Sequence, residues 1–149
     1  MVCSDEEHAI FIINWREKEK LDKNFYVYGS GVNILIEFLV KKNVKFKIYN
    51  CLDPDFFIEA IKKSKAQSLW IFAHGDRHGI DFGGNGGYVP FCKLAGTHQR
   101  KFIAQLHCSH LTGETMWEYL SNKPGIFYEG MHSAIQNREL INEWIQKNE

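Results

Sequence analysis

The sequence is poorest in the features that commit a chain early. No run approaches the roughly 20 apolar residues of a membrane helix, and the acidic opening, SDEEH, is unlike a secretory leader. A soluble, cytoplasmic chain without a membrane partner is expected. Formal net charge is zero, with 18 basic against 18 acidic residues, so bulk charge points to no nucleic acid. There is no internal repeat and no low-complexity stretch, and the composition is globular rather than disordered or fibrous. The four cysteines, Cys3, Cys51, Cys92 and Cys108, show no C-x-x-C spacing and sit in a chain expected to stay reduced. They read as thiols, and no cofactor or metal is assigned.

What is present suits one packed domain over residues 1–149. Apolar residues make up 44%, charged residues 24% and aromatics 14%, and 149 residues are enough for one core. HAIFIINW, from His8, is a continuous β-branched and aromatic run, as expected of a strand covered on both faces. Arg16 to Asn24 is charged and aperiodic, which predicts a solvated loop. After Gly29-Ser30-Gly31, the residues Ile34, Leu35, Phe38 and Leu39 repeat at helical spacing. That turn has a phosphate-cradle look but lacks the P-loop lysine, so a plain turn and cap is the simpler reading.

Val44, Phe46 and Ile48 alternate with lysines, predicting a half-exposed edge strand. Asp53-Pro54 is an N-cap followed by a first-turn proline, with Phe56, Phe57, Ala60 and Ile61 as the buried helix face. SLWIFAHG, Ser68 to Gly75, is an apolar run that stops on His74-Gly75. The glycine-rich segment from Asp76 to Pro90 predicts a loop and hairpin. FIAQLHCS, from Phe102, is a second apolar run that stops on Cys108. A helix from Thr112 or Gly113 through TMWEYL, a strand over Ile126–Met131, and a last helix capped at Ser133 follow. In that helix Leu140, Ile141, Trp144 and Ile145 form the apolar stripe.

Alternating strands and helices predict an α/β domain with a mainly parallel sheet, and the edge character of the second strand favours the order 2-1-3-4-5. In that order the strands ending in His74 and Cys108 are neighbours at the edge where open α/β sheets bind ligands. Adjacent strands lie about 4.8 Å apart, which allows an imidazole and a thiol to meet. A helix start beside Cys108 favours its thiolate. The backbone N–H groups of Gly75 and Cys108 are the candidate oxyanion donors. Asp76 is the weak candidate for an orienting carboxylate, and Asp76, Gly83, Gly84 and Tyr88 form the candidate substrate loop.

Each feature has a plainer reading. A cysteine ending a strand can be a small hydrophobe, a His-Gly pair can only mark a turn, and Tyr88 and Phe91 can be packing aromatics. His74, His78, His107, Cys108 and His110 could instead serve a metal-dependent hydrolase, although His107 and Cys108, being consecutive, face opposite sides of a strand.

AIFIIN, GSGVNILIEFLVKKNVKFKIYN, WIFAHG and FIAQLHCSHLTGE together resemble the first four strands of the caspase-like cysteine peptidases, and the CHAT proteases among them most. The resemblance spans most of the chain and rests mainly on the order and the 34-residue separation of His74 and Cys108. It implies a three-layer caspase-like (flavodoxin-like) sandwich, with His74 as base, Cys108 as nucleophile and Gly75 as oxyanion neighbour. A cysteine endopeptidase acting on a peptide or protein substrate is the activity implied, with a separate activating partner or regulator. The alternative is a catalytically silent member serving as a binding module. The arginine that caspases place before the Gly-[Ser/Thr] turn is replaced here by Tyr26, Val27 and Tyr28, and HCSH is not the caspase pentapeptide. Aspartate specificity is therefore not implied, and the oligomeric state is left open.

Overall fold

The computed structural model describes residues 6–17, 20–22, 31–76, 78–84, 86–107, 116–120, 126–127 and 134–149. The frame is a parallel sheet built from β1 (His8–Ile13), β4 (Phe46–Cys51), β5 (Ser68–Phe72) and β9 (Phe102–Leu106), in the order β4-β1-β5-β9. The two-residue β10 (Ile126–Phe127) pairs in parallel on β9. The registers run Ile10↔Ile48, Ile10↔Trp70 and Trp70↔Ala104, so the strands rise together.

Side-chain alternation divides the core into two halves, one on each face of the sheet. Ile10, Ile12, Trp70, Phe72, Ala104 and Leu106 point toward Val32, Leu35, Phe38 and Leu39 of α1 (Val32–Lys41) and Ile141 of α4 (Ala134–Lys147). Ala9, Phe11, Leu69, Ile71 and Ile103 point the other way, onto Phe57, Ala60 and Ile61 of α2 (Pro54–Lys63). Leu120 of α3 (Trp117–Leu120), with Phe91 and Leu94 of a 3₁₀ turn, completes that side. Helices thus cover both faces, and a chain with continuous apolar strands requires this, because neither strand face can be left to water.

The local signals in the second helix act as expected. Asp53 has extended backbone, its carboxylate accepts the Phe56 N–H at 2.9 Å, and Pro54 opens the helix. Other expectations change. The described residues of the expected loop do pair: β2 (Trp15–Glu17) and β3 (Lys20–Asp22) form an antiparallel ribbon, pairing Glu17 with Lys20. Backbone pairing needs no apolar face, so periodicity carries no trace of it. Phe56, expected on the buried face of its helix, is 44% exposed, and Ile48, on the strand expected at the sheet edge, is 41% exposed. β4 is an outer strand of the sheet, and on its opposite face Tyr49 stacks on Phe11 at 4.8 Å. The expected helix start at Thr112 or Gly113, the cap at Ser133, the Gly29-Ser30 turn, and the strand beyond Phe127 lie outside the described residues. Among the described residues, no helix is long and apolar enough to cross a membrane.

Beneath the amino ends of the strands lies a buried polar cluster that periodicity cannot reveal. The Arg100 guanidinium, 1% exposed, donates to the carbonyls of Ile61 at 2.8 Å and Ser64 at 2.7 Å, and also to those of Ala66 and His98. It thereby caps the carbonyl end of α2 and ties it to the turn into β5. Burial lowers its pKa, and the nearby Glu6 carboxylate opposes that shift. Glu6 Oε1 accepts the hydroxyls of Tyr49 at 2.7 Å and Ser64 at 3.2 Å.

Two predictions follow from these buried groups. Arg100→Ala leaves several buried carbonyls without a donor and opens a cavity, so urea denaturation is expected to show a loss of about 3 kcal/mol or more. Arg100→Lys is expected to recover only part, since an ammonium cannot span the same acceptors; wild-type stability in either variant refutes the capping role. The second concerns His8, whose Nδ1 accepts the Trp70 indole N–H at 3.0 Å. Burial holds the His8 pKa below 6.5, against the opposing pull of Glu7. The folded state therefore binds a proton less readily than the unfolded chain, so this contribution is full above about pH 6.5 and is lost as pH falls through the lowered value. Thermal unfolding midpoints measured from pH 8 to 5 are expected to fall more steeply in the wild type than in His8→Leu.

Candidate functional site

The carboxyl edge of β5 and β9 carries the residues singled out by the sequence. The last register pair is Phe72↔Leu106, and the pairing extends one step further, with the Ala73 N–H donating to the Leu106 carbonyl at 3.3 Å. His74 does not cap β5 itself. β5 stops at Phe72, and His74-Gly75 forms β6, the first strand of an antiparallel sheet with β7 (Gly79–Asp81) and β8 (Tyr88–Pro90). The imidazole is thus held by a small sheet standing on the carboxyl edge, with His74 half-buried and in register with Asp81. Cys108 and His110 lie outside the described residues, as does Cys3.

Gly75 is required by packing. A Cβ on it would stand 2.6 Å from the Gly79 carbonyl oxygen and 3.1 Å from His107 Nδ1. The missing side chain lets β6 approach both β7 and the histidine that ends β9. His107 is fully buried, lies edge-tilted on Phe91 with ring centroids 5.7 Å apart, and places Nε2 at 3.1 Å from the Gln105 amide nitrogen. With that amide donating, Nε2 is the acceptor and the ring proton sits on Nδ1. His107 is a packing histidine below the site, and Phe91, wholly buried, is a packing aromatic and not a pocket wall.

The candidate substrate loop is ordered around one carboxylate. Asp76 Oδ1 accepts the N–H groups of His78 at 2.8 Å and Gly79 at 3.1 Å, and the Tyr88 hydroxyl at 2.6 Å. Partial burial works to raise the Asp76 pKa, but these three donors outweigh it and hold the carboxyl below its ordinary value. Asp76 is therefore the organiser of its own loop, which explains it better than a role as orienting carboxylate for an imidazole. At the far end, Asp81 Oδ1 accepts the Gly83 N–H at 2.9 Å, and Gly83 and Gly84 turn with φ of +76° and +46°. Tyr88 remains 39% exposed beside them.

The other cysteines separate cleanly. Cys51 is fully buried and its thiol is pushed up to about 12, chiefly by burial and then by Asp53. Cys92 is exposed on the 3₁₀ turn. Among the described residues no group of three or more histidine, cysteine, aspartate or glutamate side chains is placed to hold a metal ion. His74, His78 and His107 are accordingly not gathered as ligands.

No protein-family model matches the chain, and no curated protein matches it. The reading of the site thus rests on the residues themselves. Sequence reasoning found the glycine loop from its glycines but missed Gln105 and His107 as a buried pair, for which strand alternation was the available signal. Gly75→Ala is expected to displace β6 from β7 and to lower unfolding free energy by about 1–3 kcal/mol. Faster amide exchange at Ile80, the residue paired with Gly75, is the local readout, and unchanged exchange there would show that the close approach is not required.

Proposed function

We propose that the chain is a cysteine endopeptidase of caspase-like fold, with His74 as general base and Cys108 as nucleophile. One observation carries the reading: β5 and β9 are neighbours whose last register pair is Phe72↔Leu106, and His74 and Cys108 each follow that pair by two residues. The parallel strand order β10-β9-β5-β1-β4, with helices on both faces, supports this reading. A reducing, cytoplasmic setting suits the mechanism, because the nucleophile must remain a thiol.

In this reading His74 accepts the Cys108 proton as sulfur attacks the substrate carbonyl carbon. The carbonyl oxygen gains charge against backbone N–H groups at Gly75 and Cys108. The tetrahedral intermediate collapses with departure of the amine, protonated by His74, and leaves a thioester. Water, deprotonated by the same imidazole, then releases the acid and regenerates the thiol. The loop organised by Asp76 and bearing Tyr88 lies beside His74 in sequence and in the β6-β7-β8 sheet, and in this reading it is the segment that would meet a peptide. A separate activating partner is the form of control this reading assigns.

Iodoacetamide labelling across pH, with mass-spectrometric assignment of each cysteine, tests the dyad. Cys108 is expected to label rapidly at neutral pH, and His74→Ala is expected to slow it roughly ten-fold or more, as thiolate is lost. Cys51 should stay protected by burial, and Cys92 serves as the internal rate of an exposed thiol. A Cys108 rate equal to that of Cys92 and indifferent to His74 would replace the peptidase by a binding module of the same fold.

A further inference from the structure

Three unsatisfied groups meet where the start of α1 packs against the start of α4. The first is the α1 amino terminus. Gly31, its cap, has φ of +87°, no side chain caps the helix, and its first turn holds no acidic residue. Its leading N–H groups and dipole therefore face no anion of the protein's own among the described residues. The second is Arg138, half-buried, whose Cγ and Cα lie 2.9 and 3.2 Å from where a Cβ on Gly31 would stand. It makes no ion pair or hydrogen bond among the described residues.

The third group is Asn137. It is fully buried, yet neither its amide oxygen nor its amide nitrogen has a hydrogen-bond partner among the described residues. Asn137 projects from the same face of α4 as Ile141, one turn earlier, and Ile141 Cδ1 lies 3.0 Å from the same point beside Gly31. Helical side chains lean toward the helix amino end, so the amide is carried past Ile141 toward the start of α1. Leaving both polar atoms of a buried amide unpaired is costly, and the cost is relieved by a polar ligand.

Position in the fold agrees. Trp144 contacts His8, Trp70 and Phe102, near the amino ends of β1, β5 and β9. Asn137, seven residues earlier, is about 10.5 Å closer to the carboxyl edge. α1 crosses from β1 to β4 and α2 returns from β4 to β5, so the chain reverses direction between β1 and β5. Ligands of open α/β sheets bind at that reversal.

We propose that the α1 amino terminus, Asn137 and Arg138 form a binding site for a phosphate group, free or as the end of a small phosphomonoester. Backbone N–H groups of α1 and the amide nitrogen of Asn137 donate to its oxygens, and Arg138 supplies the countercharge. The site does not depend on the Cys108–His74 reading.

The test is a ¹H–¹⁵N titration of the full chain with inorganic phosphate and, separately, with glycerol phosphate, each at constant ionic strength against sodium chloride. Saturable shifts are expected at the Val32 and Asn33 amides and the Asn137 side-chain NH₂. Arg138→Gln should weaken binding roughly ten-fold or more. Asn137→Leu should weaken it too, while raising the unfolding temperature of the phosphate-free protein by removing two unpaired polar atoms. Saturation by inorganic phosphate alone supports an enclosed site, and saturation by both probes supports one open to a phosphomonoester. No saturable shift beyond chloride with either probe overturns the proposal, as does binding that both variants leave unchanged. An Asn137→Leu gain in stability without phosphate binding in the wild type reduces Asn137 to a buried amide alone.

Discussion

The pairing of β5 with β9 is the constraint on which the other features rest. Both strands are buried on both faces, so their alternation sorts Leu69, Ile71 and Ile103 into one core and Trp70, Phe72, Ala104 and Leu106 into the other, with no tolerance for a slip. Moving β9 by one residue would send Ala104 and Leu106 to the α2 side and bring Gln105 and His107 against Phe72 and Leu35. Gln105 and His107 avoid that because they bond each other on the α2 side, below Gly75. The register that keeps this polar pair satisfied also sets the height at which the chain leaves each strand.

The two ends of the sheet solve different problems. At the amino ends, loops and the α2 terminus converge in a dry region, and Arg100 satisfies their carbonyls with one guanidinium. At the carboxyl ends, the chain builds outward through β6, β7 and β8, whose backbone groups pair among themselves while Asp76 and Asp81 cap the turns. The first arrangement is costly to disturb and leaves little room to move. The second concentrates glycines, exposed aromatic surface and a half-buried imidazole, a combination suited to meeting a ligand.

The frame was legible because its physics is periodic. Two apolar runs ending in His74 and Cys108, helical stripes through Leu35 and Ile141, and the Asp53-Pro54 start are each local patterns with one cheap solution. What the pattern hid depends on tertiary pairing. His74 belongs to a separate antiparallel sheet because Gly75 can lie against Gly79, and no residue spacing announces such a contact. Ile48 is exposed because β4 is last in the sheet, with no further strand beside it. Arg100, charged and in a connector, reads as surface until the carbonyls of α2 are seen to need it.

Asn137 illustrates the reverse inference, from an unsatisfied group to a function. Buried asparagines in this fold otherwise have partners: Asn14, closing β1, donates to Asn50 and to the Cys51 carbonyl. Among the described residues, the amide of Asn14 is completed while that of Asn137 has no partner, and the neighbouring Arg138 makes no ion pair. Apolar packing could fill such a place more cheaply with leucine, as Ile141 does one turn away. Retaining an amide and a guanidinium there makes physical sense when their missing partner is an anion, because the same groups that destabilise the empty junction become donors in the occupied one. Binding at this junction would couple α1 to α4, and these two helices are the cover of the sheet face that carries Phe72 and Leu106.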